Sequence, residues 1–285
     1  MAARPRTLPA AIAPVLVGTS LAIREGPFHS LAFVAALLGA VLIQIGTNLS
    51  NDYSDARRGA DTEDRIGPVR VTAGGLLPPR RVLVATYLTF GAAVLCGVYL
   101  IAVAGWLLLV VGAASILAGV LYTGGPRPYG YEGLGEVFVF LFFGIVAVSG
   151  SYFVQRHTLP WQAFVLAIPV GLLIAAILVV NNIRDIDTDR RAGKRTLAVR
   201  LGRERTRILF AAMVLAAFLT SWVPWLAGSL SPWLLVTAAA APLAVALVEI
   251  VRTHSDGPSL NRALASSARL ALVFCVLLCA GILAS

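Results

Sequence analysis

The sequence predicts an all-α, polytopic membrane protein with nine transmembrane helices. Three observations carry this prediction. Of 285 residues, 58% are hydrophobic and only 13% are charged, against roughly 45–50% and about 25% in an ordinary soluble domain. The apolar residues fall into a series of runs, each long enough to approach or cross a ~30 Å hydrocarbon layer. The basic residues lie almost entirely on one side of that series. A mean hydropathy of +0.84 excludes a soluble globular enzyme and a disordered chain. Aperiodic glycine and only three cysteines exclude a collagen-like chain and a disulfide scaffold.

In chain order the runs cover residues 8–23, 31–51, 82–103, 106–122, 134–154, 161–182, 208–228, 232–251 and 269–283. The first is short and follows Arg4 and Arg6, as a signal peptide would, but Pro9 and Pro14 interrupt it, so it reads as a span. The second and sixth run into strongly charged segments. The fourth leads into a loop rich in glycine and tyrosine, and the ninth starts at Arg269. No polar segment exceeds roughly 30 residues, so one membrane domain over residues 1–285 is expected. Cys96, Cys275 and Cys279 lie within apolar runs and read as small core hydrophobes. His29, His157 and His254 are scattered over different loops and form no metal motif.

The net charge of +9 comes from 22 arginines and one lysine set against 14 acidic residues. In a soluble protein such a balance suggests nucleic acid. Here the basic residues sit between apolar runs, so no nucleic-acid partner is expected, and anionic lipid or phosphate contact is the alternative use. The N-terminus and the loops after the even-numbered runs, with Arg269, hold 21 of the 23, leaving only Arg24 and Arg156 on the other side. This asymmetry predicts a cell-membrane protein with its N-terminus and even-run loops in the cytoplasm and its C-terminus outside.

Two of the cytoplasmic segments, 51–81 and 184–207, hold 24 of the 37 charged residues. They form a weak internal pair, each with asparagines, then spaced aspartates, then a double arginine and a glycine. Four spans separate them, so both emerge on one membrane face. Asn48, Asp52 and Asp55 are spaced to share a helix face, as are Asn51 and Asp55, and likewise Asn181, Asp185 and Asp189. Aspartates at the negative end of a helix dipole repel one another and need compensation by arginine or by a divalent cation. Hard oxygen donors such as Asn51, Asp52, Asp55, Asp185 and Asp189 suit Mg²⁺, which commonly takes its other ligands from substrate phosphates. The nearby Arg65, Arg70, Lys194 and Arg195, with the amides of Asn48 and Asn182, suit phosphate oxygens and favour a diphosphate site. A third cytoplasmic loop carries Tyr122, Arg127, Tyr129 and Tyr131. It reads either as an interfacial aromatic belt or as a lid whose ring faces stabilise a cation while Arg127 holds an anion. Gly133-Leu-Gly135-Glu136 lacks the aspartate and the partner motif of an intramembrane aspartyl protease.

Asn51-Asp52-x-x-Asp55 with a later Asp61, and Asp185-x-x-x-Asp189, resemble the two aspartate-rich motifs of UbiA-type intramembrane prenyltransferases. The motif Asn48-Leu-x-Asn51-Asp52-Tyr53-x-Asp55-x-x-x-Gly59-x-Asp61 points to the 1,4-dihydroxy-2-naphthoate branch of that family. It is joined there by Asp64-Arg65-Ile66-Gly67-Pro68-x-Arg70, the Arg127–Gly135 stretch, Gly193-Lys194-x-Thr-Leu-Ala-x-Arg200-Leu-Gly202 and the Arg4-Pro-Arg-Thr-Leu-Pro9 start. The resemblance spans nearly the whole chain. Two departures stand out: Pro126 occupies a position that is basic in many relatives, and Asp61 follows Asp55 by six residues rather than four.

The resemblance implies nine helices around a central cavity open toward lipid, with cytoplasmic caps. It implies transfer of a polyprenyl group from polyprenyl diphosphate to 1,4-dihydroxy-2-naphthoate, with loss of diphosphate and carbon dioxide, giving demethylmenaquinone. Asp52, Asp55, Asp185 and Asp189 become the catalytic carboxylates, and with Asn51 and Asp61 they become ligands of two Mg²⁺ ions. Arg127 and Tyr122, Tyr129 and Tyr131 become the residues for the aromatic acceptor or the allylic cation. A 4-hydroxybenzoate-type acceptor is the runner-up. Outside the family, a secondary transporter would explain polar residues near spans, but these residues cluster at one face. An alcohol phosphotransferase would carry Asp-Gly-x-x-Ala-Arg, and the one Asp-Gly here, Asp256-Gly257, does not continue that way.

Overall fold

A computed structural model describes residue 4 and residues 7–59 and 70–285. Among the described residues the secondary structure is helical throughout, with no strand. The long helices are α1 (Pro9–Glu25), α2 (Ser30–Arg57), α3 (Pro79–Ala104), α4 (Leu107–Leu121), α5 (Gly135–Arg156), α6 (Trp161–Arg191), α7 (Arg203–Leu226), α8 (Pro232–Thr253) and α9 (Gly257–Leu283).

The expected count of nine spans needs correction. Among the described residues, seven helices, α2, α3 and α5–α9, are long and apolar enough to cross a membrane. The other two expected spans form helices of 17 and 15 residues, about 25 and 22 Å long against a ~30 Å hydrocarbon core. Proline at the first position of α1 and again at Pro14 accompanies its shortness. At α4 the limits are Gly105, whose φ of 94° turns the chain sharply after α3, and the glycine pair at 124–125. The region expected as a loop up to residue 268 is largely helix. The Asp256 carboxylate accepts the Ser259 N–H at 2.8 Å and caps α9 more than two turns ahead of Arg269.

The two longest helices are α2 and α6. At 28 and 31 residues, α2 and α6 are about 42 and 46 Å long. Their apolar parts are long enough to cross the hydrocarbon layer, and the two aspartate motifs continue as helix in their final turns. This is how side chains 130 positions apart in sequence come to face one another.

The core is asymmetric. Leu166, Val170, Val179 and Ile183 of α6 are fully buried, and α6 packs against α5, α7 and α9, while α1 packs against α5 and α9. Close approach of α5 to α6 requires glycine: a Cβ on Gly144 would lie 2.6 Å from the Gly171 Cα. Gly144 sits in a π-helical stretch, Phe140–Val146, a widening often found near functional sites. Helices α2, α3 and α4 form a looser group beside this core. They turn Leu88, Leu95 and Leu117 outward at 70, 72 and 57% exposure, as a lipid-facing surface would. Between the two groups lies a cavity.

Candidate active site

The cavity has a volume of about 1350 Å³ and is lined by α1–α6, α9 and the connecting segments. Its deep walls are apolar, with Val98, Ile101, Leu108 and Val154. Its mouth is polar and collects the ends of α2 and α6. Asp55 is 1% exposed and holds two side-chain partners: Arg70 Nη2 donates to Oδ2 at 2.8 Å, and the Tyr131 hydroxyl donates to Oδ1 at 2.6 Å. Asn51 Oδ1 accepts from the Thr123 hydroxyl at 2.9 Å, and Asn48 Nδ2 donates to Thr7 Oγ1 at 3.2 Å.

Opposite, Arg184 is the hub. Its guanidinium makes a two-pronged pair with Asp185, at 2.7 Å to Oδ1 and 2.6 Å to Oδ2, and also donates to Asn181 Oδ1 and Asn261 Oδ1, each at 2.8 Å. Asp189 lies 3.9 Å from Lys194 Nζ. That ammonium sits 4.7 Å from the centre of the Tyr131 ring, so Tyr131 joins the two halves of the site, touching Asp55 through its hydroxyl and Lys194 through its ring face. Asn182 Nδ2 donates to Glu136 Oε1 at 2.7 Å. With its nitrogen donated there, the Asn182 amide oxygen is turned away from Glu136.

The tyrosine loop is held by short-range bonds. Gly130 N–H donates to the Tyr122 carbonyl at 3.0 Å, Tyr129 OH donates to the Ala118 carbonyl at 2.8 Å, and the Tyr129 ring stacks on Phe138 at 4.0 Å. Tyr122 meets Tyr129 edge-on at 5.5 Å. Burial pushes the Tyr129 hydroxyl well above the usual phenol range, so it stays protonated and donating. All three tyrosines line the cavity.

Of the residues singled out from sequence, Asn48, Asn51, Asp52, Asp55, Arg70, Asn182, Asp185, Asp189 and Lys194 line the cavity with the tyrosines. Two basic residues do not. Arg127 is exposed, on the outer side of the turn that directs Tyr129 and Tyr131 inward. Arg195 is also exposed, and its contribution is a main-chain N–H donated to the Tyr131 carbonyl at 2.8 Å. Asp61 and Arg65 lie outside the described residues. Asp52 faces main-chain donors rather than the other carboxylates. Sequence reasoning missed Arg184, Asn261, Glu136, Thr7 and Thr123 as parts of the site. The signal for Arg184 was its place directly before Asp185 and three residues after Asn181.

Among the described residues, no three His, Cys, Asp or Glu side chains gather into a self-contained metal centre. The acids are split between the ends of α2 and α6. A cation bound there would take part of its shell from a ligand, which fits Mg²⁺ with a phosphorylated substrate. The carboxylates and amides that line the cavity offer hard oxygen ligands, and among the described residues no thiol or imidazole lines it.

A buried acid-and-base mouth on a membrane-embedded apolar cavity defines an intramembrane enzyme for a substrate with a charged head and a greasy tail. Residues 11–273 match the UbiA prenyltransferase family, and the chain belongs to that family. It is 44% identical to 1,4-dihydroxy-2-naphthoate octaprenyltransferase of Mycobacterium tuberculosis, over 99% of this chain and 95% of that one. To the Escherichia coli protein of the same description it is 39% identical, over 99% and 94%. The fold matches that of a UbiA homologue from Aeropyrum pernix with a TM-score of 0.70 at 15% identity, covering 96% of this chain and 97% of that one. It also matches a UbiA homologue from Archaeoglobus fulgidus bound to GPP and Mg²⁺, with a TM-score of 0.68 at 14% identity, covering 99% and 98%.

Proposed function

We propose that this prenyltransferase moves a polyprenyl group from polyprenyl diphosphate to 1,4-dihydroxy-2-naphthoate in menaquinone synthesis, with Mg²⁺ as cofactor and the whole chain acting as one domain. The observation that carries the reaction type is the joining of the α2 and α6 aspartate motifs at the mouth of one long apolar cavity. Full-length similarity to naphthoate octaprenyltransferases selects the acceptor.

Asn51, Asp55, Asp185 and Asp189 are the residues that would hold Mg²⁺, in our reading as two ions. When bound, the metal supplies positive charge to the leaving diphosphate. Arg70 and Lys194 are placed to share phosphate oxygens, with the Asn48 and Asn182 amides beside them. The apolar walls take the isoprenoid chain and exclude water, which would otherwise quench an allylic cation. As the allylic C–O bond breaks, its electron pair leaves with the diphosphate, and the Tyr122, Tyr129 and Tyr131 rings offer faces to the developing cation. An electron-rich naphthoate carbon then bonds to the allylic carbon, the carboxylate departs as carbon dioxide, and the product is demethylmenaquinone in its quinol form.

The test uses acceptor labelled in the carboxyl group with purified protein. The expected result is labelled carbon dioxide in one-to-one ratio with diphosphate. Label retained in the prenylated product would mean a 4-hydroxybenzoate-type reaction instead. The 21-to-2 split of basic residues supports an active site on the cytoplasmic side of the cell membrane, N-terminus in and C-terminus out. Reporter fusions after Arg70 and Arg195 should both read cytoplasmic; opposite readings would refute this orientation.

A further inference from the structure

Asp52 stands inside the first aspartate motif, three residues before Asp55, yet its partners are of another kind. Both of its oxygens accept main-chain hydrogen bonds: Oδ2 from the Val71 N–H at 3.0 Å and Oδ1 from the Thr72 N–H at 2.8 Å. The residue is 2% exposed. Two successive N–H groups on one buried carboxylate make a charge-assisted anchor.

The anchored segment is itself a closed turn. Gly74 N–H donates to the Arg70 carbonyl at 3.0 Å, Gly75 N–H to the Thr72 carbonyl at 3.1 Å, and Leu76 N–H to the Val71 carbonyl at 3.0 Å. Val71 packs with Leu49 of α2 and Val82 of α3. The turn is thus pinned by one apolar side chain and by one carboxylate, and its first residue, Arg70, reaches Asp55 at 2.8 Å. Asp55 is held differently, by an arginine and a tyrosine side chain. Those partners can swing aside when a ligand arrives, whereas main-chain N–H groups cannot. With one main-chain N–H on each oxygen, the Asp52 carboxylate is fixed in orientation by the turn, and swinging it toward a cation among the other carboxylates would break these two bonds.

We propose that Asp52 is a positioning residue that holds the 70–77 turn against α2, and with it the Arg70 guanidinium on Asp55, and that it is not a metal ligand. The proposal deepens the prenyl-diphosphate reading, since Arg70 is there a phosphate-binding group.

The test compares Asp52→Ala, Asp52→Asn and Asp55→Asn in the full chain in detergent. Hydrogen exchange is first measured on metal-free protein. Asp52→Ala should speed exchange of the Val71 and Thr72 amides by about tenfold or more, the worth of a charge-assisted bond, whereas Asp55→Asn should leave it within about twofold. Asp52→Asn keeps one acceptor oxygen and should protect one amide of the two, so it stands in if the alanine variant does not fold. Initial rates come second. Asp52→Ala should raise the donor KM by about tenfold while the half-saturating Mg²⁺ concentration moves less than about threefold; Asp55→Asn should shift the Mg²⁺ requirement by about tenfold. Unchanged protection at residues 71 and 72 in both Asp52 variants would overturn the anchor. An Mg²⁺ shift in Asp52→Ala equal to that in Asp55→Asn would return Asp52 to the metal. The exchange measurement uses no substrate, so a wild-type protein inactive on prenyl diphosphates would sink the functional reading and leave this one standing.

Discussion

Replacing Arg184 with methionine removes the charge from a side chain of similar length whose residue is 3% exposed and which makes hydrogen bonds to Asp185, Asn181 and Asn261. The variant leaves the Asp185 carboxylate buried without this countercharge and removes the Arg184 hydrogen bonds to the Asn181 and Asn261 amide oxygens. Breaking a buried ion pair from one side costs about 3–5 kcal/mol. At about 2–4 °C per kcal/mol for a chain of this size, the unfolding temperature in detergent should fall by at least about 6 °C. The control is Arg184→Met with Asp185→Asn. It removes both charges, so the stability loss should shrink by about half or more. Activity should not return, because Asp185 is itself part of the site. Thermal unfolding followed by intrinsic fluorescence, with prenyl transfer measured on the same samples, reads both quantities. Wild-type stability in Arg184→Met, or a double variant less stable than both singles, would refute the argument that Arg184 is there to balance Asp185.

Arg127 is exposed and does not line the cavity, so Arg127→Ala should change the acceptor KM by less than about twofold, as surface substitutions usually do; a tenfold rise would show that the turn folds inward with substrate bound. Gly97, Gly112 and Gly150 line the cavity, yet a Cβ at any of them would meet nothing within 4 Å, so they leave room instead of making helix contacts. Gly112→Phe should lower kcat/KM for a long polyprenyl donor by about tenfold, the order of an overpacking cost, and spare geranyl diphosphate; equal losses on both donors would contradict this. Mg²⁺ and donor should each tighten the other's binding by the same factor, read by calorimetric titrations in both orders, and independent binding would remove the metal from the diphosphate.

Much of this arrangement is legible in the sequence because it rests on periodicity and charge. Apolar runs and helical spacing are enough to place Asn51 and Asp55 on one helix end and Asp185 and Asp189 on another, with both ends on one face. The length of α1 and α4 is less legible, because hydropathy marks apolar residues and not the ends set by Pro9, Gly105 and the 124–125 pair. The early start of α9 was hidden because its first turns are polar and held by the Asp256 cap, a local bond that hydropathy does not register. Arg184 reads as one more positive-inside arginine until tertiary structure sets Asn261 against it. Asp52 and Asp55 look alike in the motif, and only the return of the chain at Val71 and Thr72 separates a carboxylate engaged by main chain from one engaged by side chains.

The charge at the cavity mouth explains why aspartates sit where a helix dipole disfavours them. The lining carboxylates of Asp52, Asp55, Asp185 and Asp189 are matched in number by Arg4, Arg70, Arg184 and Lys194, so the side chains alone bring the mouth close to neutrality. The C-termini of α2 and α6 add about half a negative charge each. Of these cations, Arg70 is already engaged with Asp55, Arg184 with Asp185 and Lys194 with Asp189. A multiply charged diphosphate entering this mouth alone would meet net repulsion in a poorly solvated place, where charge interactions are strong. Replacing the aspartates with neutral residues would free the arginines to bind the donor without a cation. On the proposed reading, their presence makes donor binding conditional on a hard divalent ion. The same side chains that destabilise the empty mouth therefore make it selective for donor and cation together.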